Sequence, residues 1–470
     1  MINMPNKPQT KRIRRMIKCA SRLLLQGFIC AAALTNATHA LTLNDAIEQA
    51  LHNDPIYLAA EANLAVNRAR SSQAFARLMP QLTASANTNA NRRDYAMLNN
   101  RGNSIPERYN SHGVQVNLTQ PLLHAEKYFA LNQAVLLVNQ ADYQLLAAEQ
   151  ELLIRMIQAW LDIRQGRDAV FATDIKLAAA QKELDLSQRA LEKGVMSRTE
   201  LEAAQARRDQ AQSEQVTAQT EYSFKLAVLE QIIGQEVLPA DIPANTVLSE
   251  GYASLIPEQS SAELWISQAE NGSPTILAAS RALEVANEEV SKQRAGHLPT
   301  LDMVASYNNA VQGSGLTGGQ AGFRNTINSL GLQLNVPLFS GGEQSAKVGE
   351  ALAMRDKARY ELEAARRNTH LKIKQAWLAW KSSYTRQQFG KQAVRSATIA
   401  LKSAESQRAH GLKADLDVLQ ARQQRDEVIR DLNKAHNDLI LNYLKLSAET
   451  GQLSKNEVSG VEHNAIGLPK

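Results

Sequence analysis

The chain has 470 residues, and its 52 Lys and Arg against 47 Asp and Glu give a formal net charge of +5. Seven of the basic residues and both cysteines lie in the first 40 residues, so the remaining chain has a formal charge of −2 and no thiol. The slightly negative charge removes the main support for nucleic-acid binding. The absence of cysteine excludes disulfides after residue 40. The few aromatic residues, 23 in all, are typical of long packed helices.

The first 40 residues have the features of a secretory signal peptide. A basic segment without acids precedes an apolar run from Leu23 to Leu34, which is too short for a typical transmembrane helix. Ala40 is a small residue of the kind that signal peptidase favours. We therefore predict cleavage after Ala40 and export of a mature chain that begins at Leu41.

The mature chain is predicted to contain two copies of one pattern. Gln-Ala-Trp-Leu occurs at 158–161 and again at 375–378, an offset of 217 residues. Prolines and glycines recur at nearly the same offset, as the pairs Pro55 and Pro274, Pro80 and Pro299, Pro121 and Pro337, and Gly194 and Gly411. We infer an internal duplication.

The duplication sets the expected organisation of the chain. Residues 41–233 and 262–449 should each form one repeat. A connector with little regular structure is expected over residues 234–261, and a loosely ordered polar tail over residues 450–470. After residue 40 no stretch is apolar enough to predict a transmembrane helix.

Each repeat should begin with short helices. A first amphipathic helix is predicted from Leu43 to His52. Asp54-Pro55 then places a capping residue before a proline at the first helical position, and Ser273-Pro274 should do the same in the second repeat.

Two strands are predicted next in each repeat, over about 81–120 and 300–337. Strict alternation of apolar and polar residues indicates strands with one apolar face. The apolar positions are Leu82, Ala84, Ala86, Val114, Val116 and Leu118, and then Leu301, Met303, Ala305, Tyr307, Leu330, Leu332, Leu334 and Val336. Pro121 and Pro337 are expected to end the strand pairs.

Long helices should follow the strands. No proline occurs from Leu122 to Lys193 or from Gly342 to His410, and roughly 70 helical residues span about 100 Å. Gly194 and Gly411 should end these helices, after which a second helix returns alongside. Heptad spacing and abundant alanine predict close helix packing.

The strands imply an oligomer. Four strands are too few to enclose a lumen, and an open sheet in lipid would leave two edges without hydrogen-bond partners. Two chains would supply eight strands and three would supply twelve. Polar residues such as Gln115, Asn117, Gln333 and Asn335 would then line a wet lumen. A small soluble sandwich is the alternative, although the helices are far too long to cover one.

The order of these features resembles the TolC family of outer-membrane channel-tunnels. The residues that carry the resemblance are Leu41-Thr42-Leu43-Asn44-Asp45-Ala46-Ile47, the proline-initiated second helix, both strand pairs, Gly194…Glu200-Leu201 and Gly411…Asp417-Val418-Leu419-Gln420-Ala421-Arg422. The resemblance implies a mainly α fold with a transmembrane β part. Three chains would form a twelve-stranded β-barrel, continuous with a twelve-helix periplasmic α-barrel.

The resemblance also implies a function and partners. A homotrimer in the cell outer membrane would contact lipid and extend into the periplasm. It would give an exit for type I protein secretion, multidrug efflux or both, and would open on docking with a periplasmic adaptor and an inner-membrane transporter, ABC-type or proton-driven. No catalytic group, cofactor, metal or nucleic acid is expected.

Site residues follow from the resemblance alone. Asp417 corresponds to a cation-selective acidic ring at the periplasmic entrance, and Gln420 stands where the family has a second acid. A ring of acids attracts cations. Since one of the two acids is replaced, the strength of this filter is open.

The expected gate lies beside this ring. Lys413 would link the moving hairpin to Thr199 and Glu200 of the other hairpin, and Arg408 stands where the family has a tyrosine. Gly194 and Gly411 mark the hairpin turns, where an adaptor would dock. In the alternative, Lys413 and Asp417, four residues apart, pair with each other on a solvated face.

Two other functions remain open at this point. A periplasmic coiled-coil adaptor would have one hairpin flanked by β-rich domains, whereas this chain has two hairpins. An exported enzyme would need a catalytic set, and the sequence contains neither a Ser/His/Asp arrangement nor histidines at metal-ligand spacing.

Overall fold

A computed structural model of the chain describes residues 41–95, 105–242, 261–313, 322–410, 412 and 415–458. The predicted signal peptide, most of the connector and the last residues of the tail therefore lie outside the described residues. Within the described parts the protein is mostly helical and contains one small sheet.

The elements follow the predicted order. Helices α1 (Leu43–Asn53) and α2 (Pro55–Ala76), strands β1 (Gln81–Tyr95) and β2 (Ile105–Leu123), and helices α3 (Ala125–Glu192) and α4 (Arg198–Ile233) belong to the first copy. Helices α5 (Ala262–Gly272) and α6 (Pro274–Ala295), strands β3 (Thr300–Gln312) and β4 (Phe323–Asn335), and helices α7 (Glu343–Ala409) and α8 (Asp415–Glu449) belong to the second. A single 3₁₀ turn, Pro239–Asp241, follows α4.

The two predicted long helices are confirmed. Helix α3 has 68 residues and α7 has 67, so each spans about 100 Å. Each packs against the helix that follows it, which forms two helical hairpins.

The four strands form one antiparallel sheet in the order β1-β2-β3-β4. Strands β2 and β3 join the two copies, and Leu118 lies between Leu82 on β1 and Ala305 on β3. Leu330 continues this apolar row on β4. Leu82 and Leu330 are highly exposed in the single chain, so the apolar face of the sheet has no cover from the chain's described residues.

The prediction that Pro121 ends its strand is wrong. Strand β2 continues to Leu123, and its register against β3 shifts between Pro121 and Leu123. A proline has no N–H for the strand ladder, but an irregularity in the register accommodates it without ending the strand. Strand β4 ends at Asn335, before Pro337.

Shorter helices stack end to end beside the long ones. The Asn53 side-chain amide donates to the Ile233 carbonyl oxygen at 2.8 Å, so α2 begins where α4 ends. In the second copy Gly272 lies against Thr450, and a Cβ at Gly272 would meet the Thr450 carbonyl oxygen. Helix α6 therefore begins where α8 ends, and the described residues form four helical rods: α4–α2, α3, α8–α6 and α7.

Helices α1 and α5 pack around these junctions. The buried face of α1, which includes Leu43 and Ile47, packs in a cluster with Met156 of α3 and Leu229 of α4. Helix α5 contributes Ala269 to a second cluster on α7 and α8. Both cores therefore lie near the middle of the long helices.

The capping prediction is confirmed in one copy and wrong in the other. The Asp54 carboxylate accepts from the backbone N–H groups of Ile56 and Tyr57 at 3.1 and 2.8 Å. Ser273 precedes Pro274 in the same way but makes no capping hydrogen bond. Arg155 orients the Asp54 carboxylate, whereas among the described residues nothing orients the Ser273 hydroxyl.

The first part of the tail is ordered, contrary to expectation. Leu453 and Val458 are buried in the cluster that contains α1. The Lys455 ammonium lies 2.6 Å from Glu48 of α1. Leu453 and Val458 therefore anchor an otherwise polar segment to the core around α1. In the described ranges no helix combines the length and apolarity that a membrane crossing requires.

Candidate functional site

The two hairpin turns lie at the same end of the molecule. Helices α3 and α8 pack against each other, and the Asn433 side-chain amide donates to the Asp168 carboxylate at 3.3 Å. Asp168 is about seven turns before Gly194, and Asn433 is about six turns after Leu412. Both turns are therefore at nearly the same height, far from the sheet.

Gly194 gives the first turn its geometry. Its φ is +69°, in the left-handed region that favours glycine. Its N–H donates to the Leu191 carbonyl oxygen at 2.9 Å, and the Val195 N–H donates to that of Ala190 at 3.0 Å. This pair of hydrogen bonds is the Schellman motif, which closes the end of α3.

The second turn has the same outer hydrogen bond. The Leu412 N–H donates to the Gln407 carbonyl oxygen at 2.9 Å, as Val195 does to Ala190 in the first copy. Gly411 lies outside the described residues. Val195 and Leu412, which occupy matching positions, are both 77% exposed, so each turn presents an apolar side chain to its surroundings.

Glu200 has a local role that the sequence interpretation missed. The Ser197 hydroxyl and backbone N–H donate to its carboxylate at 3.0 and 2.9 Å, and the Glu200 N–H donates back to the hydroxyl at 3.3 Å. These hydrogen bonds from Ser197 hold the pKa of Glu200 below its usual value. The spacing Ser-x-x-Glu, readable in the sequence, is the signature of this capping box.

The remaining predicted residues lie around the same two turns. Thr199 is exposed in the first turn of α4, and Arg408 is exposed in the last turn of α7. Asp417 and Gln420 lie near the start of α8, three residues apart. Asp417 is half-buried and Gln420 is exposed. Their spacing puts both on one side of the helix.

Lys413 is the residue on which the expected gate contacts depend. Lys413 lies outside the described residues, so neither its pairing with Glu200 nor its pairing with Asp417 is described. The described residues bring Glu200, Thr199, Arg408 and Asp417 to one end of the molecule.

Alanine forms the seam of the first hairpin. Ala204, Ala211 and Ala218 of α4 follow heptad spacing, and all three are buried. Gly166 of α3 lies against Tyr222, where a Cβ would approach within 3.1 Å. Small side chains allow the two helices to approach closely.

A contact between a histidine and a carboxylate occurs at the opposite end, where the sheet meets α3. The His124 imidazole lies 2.9 Å from the Asp302 carboxylate, and both side chains are largely buried. The sequence interpretation did not find this contact because the two residues are 178 positions apart. Among the described residues, no group of three or more His, Cys, Asp or Glu side chains could hold a metal ion.

An amphipathic sheet continuous with two long helical hairpins defines the class: an outer-membrane channel-tunnel of the TolC type. Family comparison agrees with it. The family model for outer membrane efflux proteins matches residues 46–235 and 265–452, one segment in each copy. The chain belongs to the outer membrane efflux protein family.

Curated relatives match along most of their length. The chain is 29% identical over 433 residues to the alkaline protease secretion protein AprF of Pseudomonas aeruginosa, covering 91% of this chain and 88% of that protein. It is 27% identical over 442 residues to the outer membrane protein TolC of Vibrio cholerae, covering 93% of this chain and 97% of that protein.

Solved structures share the fold. The Campylobacter jejuni CmeC outer membrane channel superposes with a TM-score of 0.70 at 18% identity, covering 91% of this chain and 90% of that one. The outer membrane protein VceC of Vibrio cholerae superposes with a TM-score of 0.67 at 19% sequence identity, covering 87% of this chain and 96% of that one. The predicted outer-membrane location and transport function are therefore confirmed at the level of the family, whose members are channels.

Proposed function

We propose that three copies of this chain close into a channel-tunnel that exports protein by the type I route. The observation that carries this proposal is the open sheet. Strands β1 and β4 each have one edge without a partner in the described chain, and an unpaired edge in lipid costs several kcal/mol per backbone group. Three sheets joined edge to edge would leave no free edge, and three sets of four rods would continue them.

The apolar face of the sheet supports the orientation of such a barrel. Leu330, Leu332 and Leu334 of β4 are all exposed in the single chain. They would contact lipid in the closed barrel, as the outer faces of membrane barrels do. The Ser306 and Ser329 hydroxyls, which lie 2.7 Å apart on the opposite face, would then line the lumen.

Protein is the substrate that we favour. The lumen face is dominated by hydroxyls and amides, which hydrogen-bond to a polypeptide whatever its local charge. These side chains are Thr83, Ser85, Asn87, Asn89, Asn91, Gln115, Asn117, Ser306, Asn308, Ser329 and Gln333. The names of two relatives point the same way: AprF, and the proteases secretion protein PrtF of Dickeya chrysanthemi, at 24% identity.

Small-molecule efflux is the second candidate. The relative named outer membrane efflux protein BepC, from Brucella suis, is 25% identical over 450 residues. A cell lacking the chain should accumulate a secreted protein inside if export is its role. If secretion is normal and only sensitivity to toxic compounds rises, efflux is the function and the protein-export proposal fails.

The partners would be a periplasmic adaptor and an inner-membrane transporter. The exposed apolar side chains at the two turns, Val195 and Leu412, support docking there. Val195→Asp together with Leu412→Asp should prevent co-purification of the adaptor from crosslinked cells while leaving the channel in the outer membrane. Unchanged recovery of the adaptor would place docking elsewhere.

Asp417 would supply the acidic ring at the entrance. Three copies around the axis would bring three carboxylates together and attract cations. In planar bilayers the pore should prefer cations, Asp417→Ala should reduce that preference, and Gln420→Glu should increase it by restoring a second acid. Equal selectivity of the wild type and Asp417→Ala would exclude this assignment.

Glu200 would take part in the gate as well as in the cap. Glu200→Lys should loosen closure and raise conductance if its charge holds Lys413. Ser197→Ala provides the matched control, because it removes both hydroxyl hydrogen bonds of the capping box and keeps the charge of Glu200. If both variants raise conductance equally, the cap alone explains the effect and the link to Lys413 is absent.

A further inference from the structure

A cavity of about 590 Å³ lies where the end of α8 meets the start of α6. Helices α3 and α7 form its two sides, so it lies within the wall of one chain and joins both copies. It is within the size range of small-molecule sites. The predicted transport function does not use it.

The equivalent junction in the first copy contains a built-in carboxylate. Asp54 caps α2, and the Arg155 guanidinium donates two hydrogen bonds to it at 3.0 and 3.1 Å. The helix start and one cation thus share a single buried anion, as the macrodipole favours.

The second copy has kept the cation and lost the anion. At the offsets of the duplication, Ser273 replaces Asp54 and Lys372 replaces Arg155, and both line the cavity. Lys372 now lies 3.3 Å from Glu449 at the end of α8. The start of α6 has no side-chain cap.

Two of the side chains that line this cavity are buried and end in hydrogen-bond donors. Ser273 is 0% exposed and Gln150 is 5% exposed. Among the described residues, neither the Ser273 Oγ nor the Gln150 Nε2 has a hydrogen-bond partner, although both residues line the cavity. A buried donor without an acceptor costs free energy, so an acceptor in the cavity would be stabilising.

The charge around the cavity agrees with an acceptor that is negative. Lys445 lines it and corresponds to Val228 of the first copy, so the second copy has gained a cation here. Of the two acids in the lining, Glu449 is held by Lys372 and Glu151 is exposed. A helix of 22 residues directs its positive end at the same space.

We propose that this junction binds a small oxyanion, a carboxylate or a phosphate, from solution. The ligand occupies the place that the Asp54 carboxylate fills in the first copy. It accepts from the Ser273 hydroxyl and the Gln150 amide, pairs with Lys445 and caps α6. The site fixes α8 to α6 without a direct role in conduction.

Titration calorimetry on the whole protein, purified in detergent in its native assembly, tests the proposal. Inorganic phosphate and succinate are titrated separately in a chloride buffer of matched ionic strength, which distinguishes the two ligand types. We expect saturable binding of at least one of them, one per chain. Absence of binding by both overturns the proposal.

Three variants assign any binding to this cavity. Ser273→Asp supplies the missing carboxylate and should abolish binding, and Lys445→Gln should weaken it about tenfold through loss of a charged hydrogen bond. Lys374→Gln, one residue from the cavity-lining Gln375 on α7 but outside the lining, is the matched control and should bind as the wild type does.

A second substitution at Ser273 keeps the test valid if Ser273→Asp fails to fold. Ser273→Ala removes only the hydroxyl and should weaken binding without adding charge. If Lys445→Gln and Ser273→Ala both retain wild-type affinity, the anion binds elsewhere and the assignment is wrong.

Discussion

The Arg155 guanidinium donates a hydrogen bond from each of its terminal nitrogens to the Asp54 carboxylate, at 3.0 and 3.1 Å. Asp54 is almost completely buried, whereas Arg155 is partly exposed. The pair joins the start of α2 to α3 at the level where α4 ends. It therefore fixes the junction on which one of the four rods depends.

Arg155→Met should strongly destabilise the fold. The variant leaves the Asp54 carboxylate buried without its cation, and breaking such a pair typically costs about 3 kcal/mol or more. The midpoint of thermal unfolding measures the loss. Arg68→Met is the matched control, because the Arg68–Asp142 pair is exposed and should contribute less than about 1 kcal/mol. Equal midpoints for the two variants would contradict the importance of the pair.

Acid should weaken the same junction. Burial alone would raise the pKa of Asp54, but hydrogen bonds from Arg155 and from the Tyr57 and Ile56 N–H groups outweigh it and hold the pKa below its usual value. Because the folded-state pKa is lower than the unfolded value of about 3.9, the stabilisation is complete above that value. It is lost as the pH falls through the folded-state pKa.

The test of this pH dependence compares Asp54→Asn with the wild type. The difference between their unfolding midpoints should be large at about pH 6 and smaller at about pH 3, which is below the unfolded-state pKa of about 3.9. Asp142→Asn, in the exposed pair, should differ little from the wild type at either pH. A difference that stays constant with pH would show that the charge of Asp54 is not involved.

The alanine seam should resist larger side chains. Ala211 is buried between α4 and α3, so Ala211→Leu should push the helices apart and cost about 1–3 kcal/mol. Ala206→Leu, on the exposed side of the same helix, should have little effect. The unfolding midpoints of the two variants give the comparison, and a tolerated leucine at residue 211 would mean that the seam is loosely packed.

Periodicity predicted the elements well, because alternation in the strands and proline-free heptads in the helices are local signals. The sequence could not predict how α8 meets α6, because that junction depends on residues such as Gly272 and Thr450 from distant segments. Pro121 and Ser273 were misjudged for the same reason. A register shift decides the role of Pro121, and the Ser273 hydroxyl has no hydrogen-bond partner among the described residues. Neither fact is visible in neighbouring residues.

The site was less predictable than the fold. Gly194 marks its turn by local chemistry, so the sequence located it. The proposed role of Asp417 rests on resemblance alone, since no local pattern distinguishes a pore-facing acid from a solvated one. The capping box of Glu200 is readable in the sequence from Ser197, three residues earlier.

The segment after β4 gives a direct test of assembly. Leu338 and Phe339 are 91% and 90% exposed in the single chain, next to the open edge of the sheet. Burying such a side chain against another copy would contribute about 2 kcal/mol per chain, and a carboxylate there would oppose burial. Phe339→Glu should therefore lower the fraction of the proposed trimer, measured by crosslinking in detergent.

Val195→Glu is the matched control for this assembly test. It places the same charge on an exposed apolar residue at the hairpin turn, about 100 Å from the sheet. It should leave the trimer fraction unchanged, because the proposed contact between chains at Phe339 is untouched. If both variants form trimers as well as the wild type does, the exposed apolar segment after β4 is not a subunit contact, and the edges of the sheet must associate without it.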